Sequence, residues 1–149
     1  MATTGSTQQP TDVPKKLDCF HVLIIDDNEI DREITTHHLG AAWPFEREMA
    51  TDTAADGREA LDKMHGKHFT LIALDWKLPG MGGGEVLREM RRMGVRIPVV
   101  VLSGLHRHQI EDPLEQLGAA FLNKDEMNPD TFRAAIAESI RLLRFAKPA

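Results

Sequence analysis

Short apolar runs alternate with amphipathic stretches along most of the chain. Apolar runs cover residues 20–25, 69–74, 97–102 and 119–122, with a weaker strand candidate at 46–50. Helical spacing of apolar residues covers 28–41, 56–64, 85–93, 106–117 and 131–145. Strands that are apolar throughout are buried on both faces, as in parallel sheets covered by helices on both sides. The pattern predicts an α/β fold in which five βα units form a doubly wound, five-stranded parallel sheet.

Two segments of the chain depart from a regular pattern of strands and helices. Residues 1–17 are rich in Thr, Ser, Gln and Pro, which predicts a disordered N-terminal tail before one domain over 18–146. The helix predicted over 106–117 contains Pro113, which would disturb it or mark a late start.

Composition and charge narrow the possible functions. The 149 residues are enough for one domain, and the net charge of −5 gives no electrostatic reason to expect nucleic acid or an acidic membrane as a direct partner. No apolar stretch is long enough to cross a bilayer, the N-terminus lacks a secretory signal, and one cysteine allows no intrachain disulfide. These features predict a cytoplasmic protein.

Polar residues follow the predicted strands at the points where they end. Asp26 and Asp27 follow the first strand, Asp75 the third, Ser103 the fourth and Lys124 the fifth. The carboxyl ends of parallel strands lie at one edge of the sheet, where ligands bind in folds of this kind. The sequence therefore predicts that these side chains meet in one pocket.

The residue types indicate a chemistry for this pocket. Three converging carboxylates repel one another, and a divalent cation relieves that repulsion. Oxygen ligands suit Mg²⁺. A carboxylate can also attack a phosphoryl donor to give an aspartyl-phosphate, and a lysine and a hydroxyl would stabilise the charge on the transferred group. The pattern favours phosphoryl transfer.

Four motifs carry a resemblance to a known family. They are Asp26-Asp27-Asn28, Asp75-Trp76-Lys77-Leu78-Pro79-Gly80-Met81-Gly82-Gly83, Ser103-Gly104 and Phe121-Leu122-Asn123-Lys124. Together they resemble the receiver domain of bacterial response regulators over roughly residues 20–145, and the second motif is similar to single-domain receivers of the chemotaxis type. The resemblance implies a flavodoxin-like fold and a role in two-component signalling.

The resemblance implies a Mg²⁺ site. Asp27 would bind the metal directly, and Asp26 would act mainly through a metal-bound water. Asp75 and the backbone carbonyl of Lys77 would complete the protein ligands.

The resemblance also implies roles around a phosphoryl group. Asp75 would accept the group, and Lys124 would bind it. The hydroxyl of Ser103 would move toward it, with the Phe121 side chain following as a conformational switch. The phosphate-binding set would comprise Trp76, Lys77, Ser103, Gly104 and Lys124.

The chain departs from the family pattern at several positions. Asp125 follows Lys124 where the family often has proline, and Gly82 gives the third helix a weak N-cap. Phe121 lacks the hydroxyl of a tyrosine, and Lys77 adds a cation beside the pocket. The sequence leaves open the roles of Lys77 and of the pair His106 and His108, for which no third metal ligand is evident.

The predicted partners follow from the resemblance. A sensor histidine kinase or histidine phosphotransfer protein would supply the phosphoryl group. Output would pass to a downstream protein through the face made by the fourth helix, fifth strand and fifth helix, without direct contact with nucleic acid or membrane. The chain would act as a signalling module that loses its own phosphoryl group, not as a dedicated enzyme.

The sequence also suggests two alternative functions. One is a degenerate receiver that binds a partner without phosphorylation, against which the complete acid, serine and lysine set argues. The other is a Mg²⁺-dependent phosphatase with an aspartyl-phosphate intermediate, against which Lys77 argues because such enzymes resemble an Asp-x-Asp motif. The sequence is also compatible with a receiver excised from a longer protein.

Overall fold

A computed structural model describes residues 19–42 and 48–146, which contain five strands and four α-helices. The strands are β1 Cys19–Ile25, β2 Glu48–Ala54, β3 Leu71–Asp75, β4 Val99–Ser103 and β5 Ala119–Asn123. The helices are α1 Glu29–Ala42, α2 Gly57–Gly66, α3 Gly83–Arg92 and α4 Pro129–Phe145. The predicted tail lies outside the described residues. None of the helices in the described ranges is both long and apolar enough to cross a membrane.

The strands form one parallel sheet in the order β2-β1-β3-β4-β5, which confirms the predicted fold class. Every residue of β3 and β4 is buried, because helices cover both faces of the sheet. Helices α1 and α4 enclose one hydrophobic cluster, centred on the fully buried Phe132. Helices α2 and α3 enclose the other, to which Val86, Leu87 and Met90 of α3 contribute.

Strand β2 differs from its predicted position. The sequence placed it at 46–50, whereas it runs over Glu48–Ala54. It is an edge strand, paired only with β1 among the described residues, and its Thr51 and Thr53 are exposed. An edge strand buries less of its surface than a central strand, so it can contain exposed polar residues. These residues interrupt the apolar run by which a strand is predicted.

The helix predicted over 106–117 is wrong. The segment forms a short 3₁₀ helix at Arg107–Gln109 and then, after an extended stretch, a single turn from Pro113 to Leu117. Proline has no N–H and disfavours helical geometry in the residue before it, so Pro113 separates the two turns. Ile110 and Leu114 are nevertheless buried against the sheet, so the apolar positions of the pattern are satisfied without a helix.

Two arginines hold this non-helical segment in place. Arg107 donates to the carbonyls of Ile110 and Asp112, at 2.8 and 3.1 Å, and forms a two-point ion pair with Glu115. The buried Arg91 of α3 donates to the carbonyl of Leu117 at 2.7 Å. Burial, together with the nearby Arg96, lowers the pKa of Arg91 to about 10. Side-chain hydrogen bonds thus satisfy carbonyls that a helix would have paired internally.

The start of α3 lies close to the strand end that carries Asp75. Gly82 is its N-cap and makes no side-chain capping bond, as its residue type predicted. The N–H of Gly83 donates to the carbonyl of Trp76 at 3.0 Å. A Cβ atom at Gly83 would lie 2.8 Å from the Trp76 Cα, so only glycine allows this approach. The loop after Asp75 is therefore fixed directly against the helix.

Candidate functional site

Three carboxylates meet at the carboxyl ends of the adjacent strands β1 and β3. Asp26 and Asp27 directly follow β1, and Asp75 is the last residue of β3. One oxygen from each lies within 4.8 Å of the other two. Asp26 and Asp75 are buried, whereas Asp27 is exposed. The meeting of acids predicted from the strand ends is confirmed.

The donor set of this cluster fits Mg²⁺. All three candidate ligand atoms are carboxylate oxygens, which a hard divalent cation prefers. Asp27 is exposed to solvent, which leaves room for the waters that Mg²⁺ retains. Three negative charges this close also need a counter-charge, since buried like charges oppose ionisation.

Lys124 supplies one positive charge to the cluster. Its Nζ lies 3.1 Å from Asp31 Oδ2, 3.3 Å from Asp75 Oδ1 and 3.4 Å from Asp26 Oδ2. Burial by itself would lower the pKa of Lys124, but the attraction of the three carboxylates raises it above its ordinary value. The lysine is therefore charged at neutral pH.

Asp75 titrates at higher pH than an ordinary aspartate. Burial is the main cause, followed by repulsion from Asp26, and together they raise its pKa from 3.8 to about 6. Lys124 and a hydrogen bond from the backbone of Lys77 partly oppose the rise. At pH 7 the carboxylate is still mostly ionised, and an ionised carboxylate is the nucleophilic form.

Asp31 is a member of the site that the sequence reasoning missed. It lies in the first turn of α1, where its backbone N–H donates to Asn28 Oδ1 at 2.9 Å. Acids are common in the first turn of a helix because they interact favourably with the helix dipole. The residue type of Asp31 therefore gave no reason to place it in the pocket. Only the contact with Lys124, 93 residues away in the chain, shows its membership.

Ser103 and Lys124 lie at the ends of neighbouring strands and are linked by Asn123. Ser103 pairs with Asn123 in the β4–β5 register, and its buried Oγ accepts from Leu105 N–H at 3.0 Å. The Asn123 side chain donates to the Leu105 carbonyl at 2.9 Å and accepts from Asp125 N–H at 2.7 Å. Proline at position 125, common in the family, has no N–H to donate.

The other predicted phosphate and switch residues surround this edge of the sheet. Phe121 is in β5, half-buried and packed against the core, and Trp76 is half-buried beside the start of α3. Lys77 and Gly104 are exposed in the loops after β3 and β4. Their positions agree with the prediction, while their roles toward a phosphoryl group stay predictions.

The paired histidines beside the site do not form a metal site with a third ligand among the described residues. His106 and His108 are exposed, with ring centroids 5.8 Å apart and planes inclined by 5°. They flank Arg107, whose role in shaping the segment is structural.

Comparisons with known proteins agree with this geometry. The family model "Response regulator receiver domain" matches residues 22–137. Response regulator mcs4 of Schizosaccharomyces pombe is 31% identical over 117 residues, and a protein-glutamate methylesterase/protein-glutamine glutaminase of Treponema denticola is 28% identical over 130. The alignments cover 78% and 85% of this chain but only 19% and 34% of those proteins. The chain thus spans a minor part of the curated relatives it matches.

A solved structure gives the same result. The response regulator protein TrrA from Thermotoga maritima, crystallised in complex with Mg²⁺ and BeF, superposes with a TM-score of 0.67 at 25% sequence identity. The superposition covers 80% of this chain and 98% of that one. The matching sheet, the acidic edge and the family model all lead to one assignment. The chain therefore belongs to the response regulator receiver family, whose members are the phosphoacceptor domains of two-component signalling.

Proposed function

We propose that Asp75 accepts a phosphoryl group from a sensor histidine kinase or a histidine phosphotransfer protein. The observation that carries this proposal is the convergence of Asp26, Asp27 and Asp75 with Lys124 at one edge of the sheet. Asp75 is the acid of this set that ends the central strand β3, and it contacts the lysine directly.

The proposed reaction is a displacement at phosphorus. A carboxylate oxygen of Asp75 forms a bond to the phosphorus atom, and the bond from phosphorus to the donor's leaving group breaks. The electron pair of that bond departs with the leaving group. Acetyl phosphate releases acetate, and a phosphohistidine protonated on its other ring nitrogen releases neutral imidazole. Lys124 faces the attacking carboxylate, so its charge is already placed for the incoming oxygens.

Asp26, Asp27, Asp75 and the backbone carbonyl of Lys77 would hold Mg²⁺. When bound, the ion would neutralise the acidic cluster and the charge on the phosphoryl oxygens. The TrrA complex with Mg²⁺ and BeF supports this assignment by likeness. Ser103 would then donate its hydroxyl to a phosphoryl oxygen, since a hydroxyl can accept from Leu105 and donate elsewhere. The backbones of Trp76, Lys77 and Gly104 would line the same space.

The direct test is incubation with acetyl phosphate and Mg²⁺, followed by intact-mass measurement. The protein should gain one phosphoryl group with the metal present and none when a chelator removes it. A gain that does not depend on Mg²⁺ would contradict the metal assignment, and no gain under any condition would favour a degenerate receiver. Neither that alternative nor the phosphatase is favoured by the family match.

Replacing Asp27 with alanine should weaken Mg²⁺ binding by at least about tenfold, or about 1.4 kcal/mol. The change removes one of the three carboxylates of the metal site, yet the fold should survive because it also removes a repulsive charge. Calorimetric titration with Mg²⁺ measures the affinity. Asp62→Ala, which removes an exposed acid on α2, is the control for lost charge. Equal Mg²⁺ affinity in Asp27→Ala and the wild type would show that the ligand is misassigned.

Intrinsic fluorescence should report the site through Trp76. This residue directly follows Asp75, its backbone N–H donates to the Leu102 carbonyl at 2.9 Å, and its side chain is half-buried. Adding Mg²⁺ changes the charge beside the indole, and beryllofluoride, a phosphoryl mimic, should change it again. Both responses should vanish in Trp76→Phe and persist in Trp43→Phe. Trp43, expected at the far end of the first helix, lies outside the described residues; loss of the response in its variant would place the pocket elsewhere.

We propose that output passes through protein contacts on the surface formed by residues 104–118, β5 and α4. The predicted fourth helix is absent from this surface, and the 3₁₀ helix and turn take its place. The backbone of Leu105 is hydrogen-bonded to the side chains of both Ser103 and Asn123. Movement of the Ser103 hydroxyl would therefore also move Leu105 and the segment that it begins. Phe121 would adjust its rotamer with it. Exposed Ile140 and Phe145 on α4 give the surface apolar contact area.

A further inference from the structure

Lys124 contacts more carboxylates than the proposed reaction uses. An ammonium group has three N–H donors, and three carboxylates lie within 3.4 Å of Lys124 Nζ. Asp75 is the proposed acceptor and Asp26 belongs to the proposed metal site. Asp31 has no part in either, although its distance of 3.1 Å is the shortest of the three.

Phosphorylation changes the surroundings of Lys124 unequally. Asp75 would become an acyl-phosphate, and Asp26 would turn toward the metal-bound water. Asp31 stays close to Lys124, because its backbone N–H donates to Asn28 Oδ1 and holds the residue in the first turn of α1. The phosphoryl oxygens and the Asp31 carboxylate would then share one ammonium, and like charges that share a counter-ion repel each other.

We propose that Asp31 lowers the affinity of this pocket for the phosphoryl group by placing a third carboxylate against Lys124, beside the acceptor. The inference rests on the proposed function of Asp75. The negative charge of Asp31 raises the affinity of the pocket for a cation and lowers its affinity for an anion. It therefore has opposite effects on the affinities for Mg²⁺ and for the phosphoryl group. A residue with a purely structural role would change both affinities in the same direction.

The isosteric variant Asp31→Asn isolates the charge. The amide oxygen can still accept from Lys124, and the α1 backbone is unchanged. Beryllofluoride should bind roughly three- to tenfold more tightly than to the wild type at saturating Mg²⁺ and low ionic strength, while Mg²⁺ alone should bind about two- to threefold more weakly. The Asp31 side chain is 40% exposed, so added salt should shrink both differences.

Two further variants complete the design. Glu33→Gln removes an acid from roughly the opposite side of α1, given 3.6 residues per turn, and should leave both affinities at wild-type values. Asp31→Ala removes the charge and the acceptor together, so it tests whether Asp31 anchors the lysine. Mg²⁺ is titrated by calorimetry, and beryllofluoride binding is followed by fluorine NMR, with thermal unfolding confirming that each variant is folded.

The outcomes separate the inference from the function it rests on. Tighter beryllofluoride binding by Asp31→Asn with weaker Mg²⁺ binding supports the inference. Unchanged affinities, or weaker beryllofluoride binding by both Asp31 variants, would overturn it and leave the role of Asp75 intact. If the wild type fails to bind beryllofluoride, or Asp75→Asn binds it equally well, the proposed function is lost and this inference with it.

Discussion

Replacing Asp75 with asparagine is expected to abolish phosphorylation by acetyl phosphate. The amide is a poor nucleophile. The other carboxylates that contact Lys124 are those of Asp26, which directly follows β1, and of Asp31 in α1, and neither is on the central strand. Wild type should gain one phosphoryl group per chain in an intact-mass experiment with Mg²⁺, and Asp75→Asn should gain none.

The control for this experiment is Asp62→Asn, an equal change at an exposed position on α2. It should be phosphorylated to the wild-type extent. Lability of the modification in both acid and alkali would identify an acyl-phosphate, as opposed to a phosphate on a histidine, serine or threonine. A phosphoryl gain in Asp75→Asn equal to that of the wild type would remove Asp75 as the acceptor.

The same variant should be more stable than the wild type in metal-free solution at pH 7. Burial and repulsion from Asp26 raise the pKa of Asp75 from 3.8 to about 6, so ionising it costs more in the folded state than in the unfolded chain. Between about pH 4 and 6 the unfolded chain has released this proton and the folded chain has not. Raising the pH through this window therefore lowers the free energy of unfolding, by on the order of 3 kcal/mol when complete.

Urea unfolding with a chelator present measures this effect. Asp75→Asn should exceed the wild type in stability by that order at pH 7 and by little near pH 4, where Asp75 is protonated in the folded state. Mg²⁺ should reduce the difference by binding the wild-type carboxylates. An Asn variant that is less stable than the wild type at pH 7 but not near pH 4 would show that the lost contact with Lys124 outweighs the repulsion.

Which positions the sequence could predict depended on burial. The strands β1, β3 and β4 are continuous apolar runs because both of their faces are covered, and each run ends where its polar residue begins. Strand β2 is at the edge of the sheet, so its exposed Thr51 and Thr53 broke the run and shifted its predicted bounds. Apolar runs therefore predict the bounds of a strand well only where the strand is buried.

The segment over 106–117 shows a second limit. Ile110 and Leu114 occur at a spacing that a helix or a pair of turns satisfies equally well, and both are buried. Whether such a segment becomes helical is decided by its partners. Here Pro113 divides the segment, and the guanidinium of Arg107 binds carbonyls on either side of the extended stretch.

The sequence by itself determined the α/β class and the four strand ends that carry Asp26, Asp27, Asp75, Ser103 and Lys124. Those residues lie within two positions of the ends of apolar runs, so the local pattern was sufficient to place them at one edge of the sheet. Only the tertiary structure decided that Asp31 joins them, because an acid in the first turn of a helix is unremarkable until the fold brings Lys124 to 3.1 Å from it. The contact between Asp31 and Lys124 depends on how α1 packs against the sheet that contains β5, and no local pattern encodes that distance.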